Sequence, residues 1–198
     1  MTSDLVLALA RVAADAGAAA GPEEALWCVT HTLPAVLGDP GAALRPNAFR
    51  ENPPPTVGSA CAVFLRTPDG AHHMVSAPVN FAPAQYHELV GIELGHPGDV
   101  AKHRRPLLLH DTALHHSFVK ILQSFRAGSS MFSPLLWRGE YLGVLITANA
   151  ARGTFGEADL AAQQAFAALA AACFVAHDGP AWLAGLDYAG LPVRMVAT

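Results

Sequence analysis

The chain has 198 residues, 52% of them hydrophobic and only 14% charged, and its net charge is −4 at pH 7. This length fits one domain with extensions, and the acidic balance argues against sequence-independent nucleic-acid binding, which needs a basic surface. No apolar run reaches the roughly 20 residues of a membrane span. Three widely separated cysteines do not make a disulfide framework, which is typical of a reducing cytoplasmic location. Together these features predict a cytoplasmic protein that binds neither nucleic acid nor membrane.

The N-terminal part of the sequence predicts two helices and a loop. The stretch from Ser3 to about Ala20 is rich in alanine and leucine, and an acidic residue near its start indicates a helix instead of a signal peptide. Pro22 suits the first turn of a second helix, which Pro34 is expected to kink or end. Residues 38–55 are rich in Gly, Pro and Asn, which is typical of an ordered loop or linker.

The middle of the sequence predicts short strands and helices. Strands are expected at 59–66, 71–78, 91–94 and 106–109, and short helices at 83–90 and 97–103. His72 and His73 are neighbours in a predicted strand, so at most one of them faces inward. Residues 117–126 predict an amphipathic helix, because apolar side chains recur there at helical spacing: Phe118, Ile121, Leu122 and Phe125.

The stretch 128–174 has the most regular pattern. A strand over 129–137 and a return strand over 140–149 flank Arg138-Gly139, where glycine suits a tight turn. A long helix is expected to open at Thr154 or Gly156, with acidic residues in its first turn, and to break at 178–180.

Several spaced motifs in these segments match one pattern of a known family. The hairpin and helix carry Ser130, Pro134-Leu135, Gly139, Gly143-Val144-Leu145, Phe155 and Asp159-Leu160, and an earlier segment carries Arg105-Pro106-Leu107 and Asp111. With these residues the sequence from Ser59 to about His177 resembles the GAF domain family. The resemblance implies an α+β fold, an α/β sandwich: a central antiparallel sheet with helices on both sides, and N- and C-terminal helices packed together. The expected divisions are 1–58 (helices and loop), 59–177 (ligand-binding domain) and 178–198 (tail).

The resemblance also implies a pocket for a small molecule between the sheet and residues 96–126. The residues expected to contact the ligand are Phe81, His96, His110, Asp111, His116, Phe118, Leu122, Ser129 and Phe132. His96-Pro97-Gly98 opens a short helix whose free N–H groups suit an anion, although an ordinary Pro-led helix start explains the same residues. The hydroxyl of Ser129 either points to the ligand or bonds locally at the strand start.

Two other functions stay open on the sequence. His110, His115 and His116 lie close together around Asp111 and suit a transition metal or haem iron, although their spacing matches no established metal motif. An enzyme with a histidine general acid–base is the other alternative, for which no nucleophile or carboxylate pair is visible. The predicted pocket loops also lack the cysteines that GAF-type methionine sulfoxide reductases and bilin-binding domains use.

The leading hypothesis is therefore a sensory or regulatory domain that is not an enzyme and for which the sequence requires no cofactor. Ligand binding would be transmitted to a separate signalling partner or through a homodimer. The alanine-rich first and last helices favour close helix pairing and a two-fold interface, with Phe166, Leu169 or Phe174 as candidate contacts. The alternative is that the first two helices only cap the last one within a single chain.

Overall fold

The computed structural model of the chain describes residues 2–115 and 118–194. The strands are β1 (Ser59–Arg66), β2 (His72–Val79), β3 (Leu89–Gly91), β4 (Leu107–Leu109), β5 (Ser129–Trp137) and β6 (Glu140–Asn149). The α-helices are α1 (Thr2–Gly17), α2 (Pro22–Val36), α3 (Gly95–His103), α4 (Glu157–Ala176) and α5 (Gly179–Ala184). The six strands form one antiparallel sheet in the order β3-β2-β1-β6-β5-β4. The predicted α+β sandwich is confirmed.

Strand alternation divides the core between the two faces of the sheet. In β1, Cys61, Val63 and Leu65 belong to the hydrophobic cluster that α2 and α4 complete, with α1 packed behind them. The intervening Ala62 and Phe64 belong to a second cluster on the opposite face. This period of two follows from the pleat of the strand, which turns successive side chains to opposite sides. The N- and C-terminal helices therefore share one layer, as expected.

Helix α4 forms the centre of that helical layer. Its N-terminus is fixed by the Asp159 carboxylate, which accepts hydrogen bonds from the backbone N–H groups of Gly156 at 2.9 Å and Gly38 at 2.8 Å. Within the described residues, α4 is the one helix long and apolar enough to cross a membrane. Its side chains Phe166, Ala170 and Phe174 are nevertheless buried in the cluster against the sheet, which is how a core helix packs.

The opposite face of the sheet is covered by α3 and by a segment without helix or strand. This segment, residues 118–126, is called the lid below; the expectation of an amphipathic helix over 117–126 is wrong for it. The expected helix over 83–90 is also wrong: a short 3₁₀ turn, Pro83–Gln85, leads into β3. The backbone of residues 87 and 88 hydrogen-bonds to Val75 of β2, so pairing at the sheet edge replaces helical hydrogen bonds there.

The strand expected over 91–94 is wrong beyond its first residue, because the chain turns after Gly91 with a hydrogen bond from the Leu94 N–H to the Gly91 carbonyl and leads into α3. The other elements agree closely with the sequence pattern. Strands β1, β5 and β6 and the turn at Arg138-Gly139 have the predicted bounds, and α4 begins directly after Gly156. Pro34 lies inside α2, which ends two residues later at Val36. The loop over 38–55 contains one 3₁₀ turn, Pro40–Leu44.

Candidate ligand-binding cavity

A cavity lies between the sheet face that carries Phe64 and the cover formed by α3 and the lid. It has a volume of about 50 Å³, which is room for about three to five water molecules. An engineered apolar cavity that binds benzene measures about 150 Å³, so a ring-sized ligand requires the lid to move outward. The cavity of this chain is lined by Ala60, Phe64, Phe81, His96, Pro97, Phe118, Val119, Ile121, Leu122, Ala127, Ser130, Phe132, Ile146 and Ala148. Nearly all of this surface is apolar, so the cavity suits a compact apolar molecule.

His96 is the main polar group of the cavity. The ring is 5% exposed, and its Nδ1 is buried without a hydrogen-bond partner among the described residues. Burial lowers the pKa of His96 below its ordinary value; nearby Asp99 opposes this shift and His115 adds to it. The imidazole is therefore neutral at pH 7, and its Nδ1 either donates or accepts one hydrogen bond according to the tautomer.

The position of His96 follows from the geometry of the α3 N-terminus. Gly98 lies so close to the preceding turn that an added Cβ would stand 2.3 Å from the carbonyl carbon of Glu93. Only glycine allows this tight start, which presses the first turn of α3 onto the sheet. The His96 ring stacks on Phe132 of β5 with ring centroids 5.7 Å apart and planes 24° apart, and the Phe118 ring lies at the same centroid distance.

Ser130 is the second polar side chain of the cavity lining. Its hydroxyl donates to the backbone carbonyl of Thr147 at 2.9 Å. The donor of Ser130 is thus satisfied, whereas the oxygen keeps lone pairs that can accept a hydrogen bond. A ligand with one hydroxyl or amide group could therefore be bound by His96 and Ser130 within an otherwise apolar site.

Five of the residues expected to bind the ligand line this cavity: Phe81, His96, Phe118, Leu122 and Phe132. The lining residues that were not expected include small or aliphatic side chains of the sheet, such as Ala60, Ile146 and Ala148. A signal for them exists in the sequence, because the alternation in β1 and β6 places them on the face opposite the helices.

Three other expected residues lie outside the cavity lining. The His110 ring nitrogen Nδ1 bonds to the Phe155 carbonyl oxygen at 3.1 Å. Asp111 caps a 3₁₀ turn by accepting from the Ala113 N–H at 2.9 Å, and it pairs with Arg50. The Ser129 hydroxyl donates to the Ala151 carbonyl at 2.8 Å, a structural hydrogen bond at the start of β5. The fourth, His116, lies outside the described residues.

The histidines proposed as metal ligands have separate contacts. His110 bonds to the backbone of Phe155, whereas the ring of His115 packs edge-on against His96, with centroids 5.6 Å apart. In the described ranges 2–115 and 118–194, no three His, Cys, Asp or Glu side chains form a group that could hold a metal ion. The third proposed ligand, His116, is not among those residues, so the full set stays a prediction from the sequence.

None of the three cysteines lines the cavity. Cys61 faces the helical layer, and burial raises the pKa of its thiol to about 12. Burial also raises the pKa values of Cys28 and Cys173. Because the thiolate is the reactive form of cysteine, these three positions are poor nucleophiles at neutral pH.

The fold resembles several solved structures. The GAF domain of a phosphoenolpyruvate-protein phosphotransferase from Coxiella burnetii has a TM-score of 0.72 and 20% identity; the match covers 90% of this chain and 96% of that one. The corresponding Acinetobacter domain has a TM-score of 0.71 and 14% identity, over 90% and 97% of the two chains. A free methionine-R-sulfoxide reductase from Neisseria meningitidis has a TM-score of 0.67 and 12% identity, over 89% and 91%. No curated protein matched this chain in sequence.

The fold and the cavity define a class of domain: an antiparallel sheet carries a layer of helices on one face and a small apolar cavity on the other. The family model of the GAF domain matches residues 55–174, which is more than half of the chain. The chain belongs to the GAF domain family. Its members are generally sensory or regulatory domains that bind small molecules, although some structural neighbours, such as the sulfoxide reductase, are enzymes.

Proposed function

We propose that this chain is a sensory domain that binds a compact, largely apolar molecule in the cavity beneath α3 and the lid. The observation that carries the proposal is the apolar cavity lined by His96, whose ring Nδ1 is buried and is not bonded by any of the described residues. Buried polar atoms in proteins almost always have a hydrogen-bond partner, because an unpaired one costs about 1–3 kcal/mol. A bound molecule with one polar group would supply that partner.

The proposal includes a binding role without catalysis, in the cytoplasm, with the output transmitted to a partner protein or to a second copy of the chain. The thiols lie away from the cavity and have raised pKa values, which supports binding over thiol chemistry. Ligand binding shifts a conformational equilibrium only if the two states bind the ligand with different affinity. The lid, which has no regular secondary structure and forms part of the cavity wall, is the segment best placed to differ between such states.

Isoleucine methyl NMR provides a direct test with benzene and phenol as probes. The chain has isoleucine at positions 92, 121 and 146; Ile121 and Ile146 line the cavity, whereas Ile92 does not. We expect both probes to shift the signals of Ile121 and Ile146 and to leave Ile92 unchanged, with phenol the tighter of the two. A His96→Phe variant should keep benzene binding and lose most of the preference for phenol. Unchanged Ile121 and Ile146 signals with both probes would reject the cavity as the ligand site.

A further inference from the structure

A second pocket, lined in part by charged side chains, lies beside the apolar cavity. This basic pocket, with a volume of about 430 Å³, is lined chiefly by Arg50, Glu51, His115, Phe118, Lys120 and Arg126. Phe118 belongs to the lining of both the basic pocket and the cavity. The half-buried ring of Phe118 therefore forms part of the boundary between an apolar space and a charged one.

Positive charge exceeds negative charge around the basic pocket. Arg50, whose side chain is only 8% exposed, pairs with the Asp111 carboxylate. The same carboxylate lies 3.6 Å from Nε of Arg152, so two guanidinium groups share one acid. Lys120 and Arg126 add two cations to the pocket lining, while Glu51 adds one carboxylate and accepts a hydrogen bond from the Arg126 backbone N–H. Four cations thus stand against two carboxylates.

Arg50 also has a donor that no described residue uses. Its Nε is buried and has no hydrogen-bond partner, although the guanidinium is held in place by Asp111. A fixed guanidinium is the side chain best suited to bind a carboxylate, because its donors match the two oxygens in one plane. Arg50 lines the basic pocket, so an anion there would meet a guanidinium that Asp111 already holds in place.

His96 and Arg50 line the two spaces that share Phe118 as a boundary. His96 lines the cavity, and its ring meets that of His115, which lines the basic pocket, at a centroid distance of 5.6 Å. One molecule that passes Phe118 could therefore contact His96 with its body and Arg50 with its end group. Each of two separate ligands would lose translational freedom on binding, and each loss would lower its affinity. One molecule that spans both spaces has this loss only once, which favours a single linked ligand.

We propose that the ligand is a small amphiphilic carboxylic acid, with its apolar body in the cavity and its carboxylate in the basic pocket against Arg50, Lys120 and Arg126. This inference rests on the proposed function, since it uses the same cavity. It adds the chemical class of the ligand: an acid with a body about the size of one ring, in place of a neutral apolar molecule.

The test compares a matched acid and alcohol, 3-phenylpropionate and 3-phenylpropan-1-ol, by calorimetry and isoleucine methyl NMR. The acid is expected to bind at least tenfold tighter at low salt, and this advantage should shrink as salt screens the cations. Arg126→Gln and Lys120→Gln change exposed side chains of the basic pocket, so both variants should fold normally. They should reduce the affinity for the acid several-fold and leave the affinity for the alcohol unchanged. The control is Lys102→Gln, an exposed lysine of α3 outside both linings, which should change neither.

The possible outcomes separate this inference from the proposed function. Equal binding of acid and alcohol, with shifts at Ile121 and Ile146, would overturn the acid and keep the cavity as a ligand site. Tighter binding of the acid without shifts at these isoleucines would place the acid outside the cavity and overturn the inference as well. If neither probe moves Ile121 or Ile146, and benzene and phenol also fail to do so, the proposed function itself is rejected.

Discussion

Gln85 and Ile121, 36 residues apart in sequence, are joined by a hydrogen bond of 2.9 Å from the Gln85 side-chain amide to the Ile121 carbonyl oxygen. The same side chain accepts a bond from the Gln123 N–H at 3.0 Å and donates to the Glu88 carboxylate at 3.0 Å. Glu88 in turn pairs with Arg194 at 2.9 Å. Gln85 is fully buried, so this network fixes the backbone of the lid to the connection between β2 and β3.

Replacing Gln85 by alanine should therefore loosen the lid. The variant leaves the Ile121 carbonyl and the Gln123 N–H without their partner, and we expect a loss of about 1–3 kcal/mol in the free energy of unfolding. Urea unfolding measures this loss, and hydrogen exchange at the Gln123 amide reports the lid directly. Gln164→Ala is the control, because Gln164 is exposed on α4 and bonds only within its own helix. Unchanged protection of the Gln123 amide would show that other contacts hold the lid.

The same network explains why the lid could not be predicted from its sequence. Phe118, Ile121, Leu122 and Phe125 have helical spacing, and the last three are buried, as a helix would have placed them. The backbone of the segment nevertheless bonds to Gln85, which lies far away in sequence. The spacing of apolar residues indicates which side chains are buried, but it does not indicate a hydrogen-bond partner that is distant in sequence. Hydrophobic spacing therefore predicts the correct inward-facing residues of the lid and an incorrect backbone conformation. In the β5–β6 hairpin the partners are adjacent in sequence, and the prediction was accurate.

For the candidate site, the sequence predicted the aromatic part of the lining better than the polar part. Phe81, Phe118 and Phe132 follow from the family resemblance, which implies a pocket between the sheet and residues 96–126. His110 and Asp111 suit ligand chemistry, yet His110 bonds to the backbone carbonyl of Phe155 and Asp111 bonds to the nearby Ala113 N–H. The free space itself depends on small residues of different strands meeting on one face, and no single segment contains that information.

Gly143 lies in β6 next to the backbone of β1. An added Cβ would stand 2.3 Å from the Phe64 carbonyl oxygen and 3.0 Å from the Leu65 Cα, so backbone atoms would have to move. We expect Gly143→Val to lower the free energy of unfolding by about 1–3 kcal/mol through overpacking. Gly91→Val is the matched control, since Gly91 is also a strand glycine but has nothing within 4 Å of an added Cβ. Equal melting temperatures of the two variants would contradict the expected close contact at Gly143.

His73 should make the stability of the protein depend on pH. The ring is fully buried and shares a hydrogen bond of 2.8 Å with the Tyr141 hydroxyl; burial lowers its pKa from 6.5 to about 3. Below about pH 6.5, His73 binds a proton in the unfolded chain but stays neutral in the folded chain. The contribution of His73 is therefore complete above about pH 6.5 and is lost as the pH falls towards 3. Between pH 7 and pH 5 this amounts to about 2 kcal/mol.

Urea unfolding at pH 7 and pH 5, for the native chain and for His73→Phe, measures this contribution. The substitution should lower stability at both pH values but reduce the difference between them by roughly the same 2 kcal/mol. Other titrating groups are common to the two proteins and cancel in this comparison. If the free energy of unfolding changes by the same amount between pH 7 and pH 5 in both proteins, His73 is protonated in the folded state, contrary to the expectation.

Phe118 and Phe125 belong to the same lid but should respond differently to truncation. Phe125 is 2% exposed and packed against Ala127 and Ala148, so Phe125→Ala should cost about 3–5 kcal/mol of stability. Phe118 is only half-buried and lines both pockets, so Phe118→Ala should cost less than about 3 kcal/mol and mainly weaken probe binding. Thermal unfolding and a phenol titration of both variants compare the two losses. A stability loss at Phe118 as large as that at Phe125, with unchanged phenol affinity, would make Phe118 a core residue.

The last prediction concerns assembly through the helical layer. Phe166 and Phe174 are buried within the chain, whereas Val6 and Leu7 of α1 are 61% and 55% exposed. We expect a homodimer in which α1 of one copy packs against the helical layer of the second, because two-fold dimers are the commonest closed assembly. Light scattering should then give twice the 20.7 kDa of one chain at micromolar concentration, and the double change Val6→Glu, Leu7→Glu should reduce the mass to one chain. Leu44→Glu is the control, since Leu44 is 87% exposed outside that layer and should leave the dimer intact. A single-chain mass for the native protein at every concentration would mean that α1 and α2 only cap α4 within one chain.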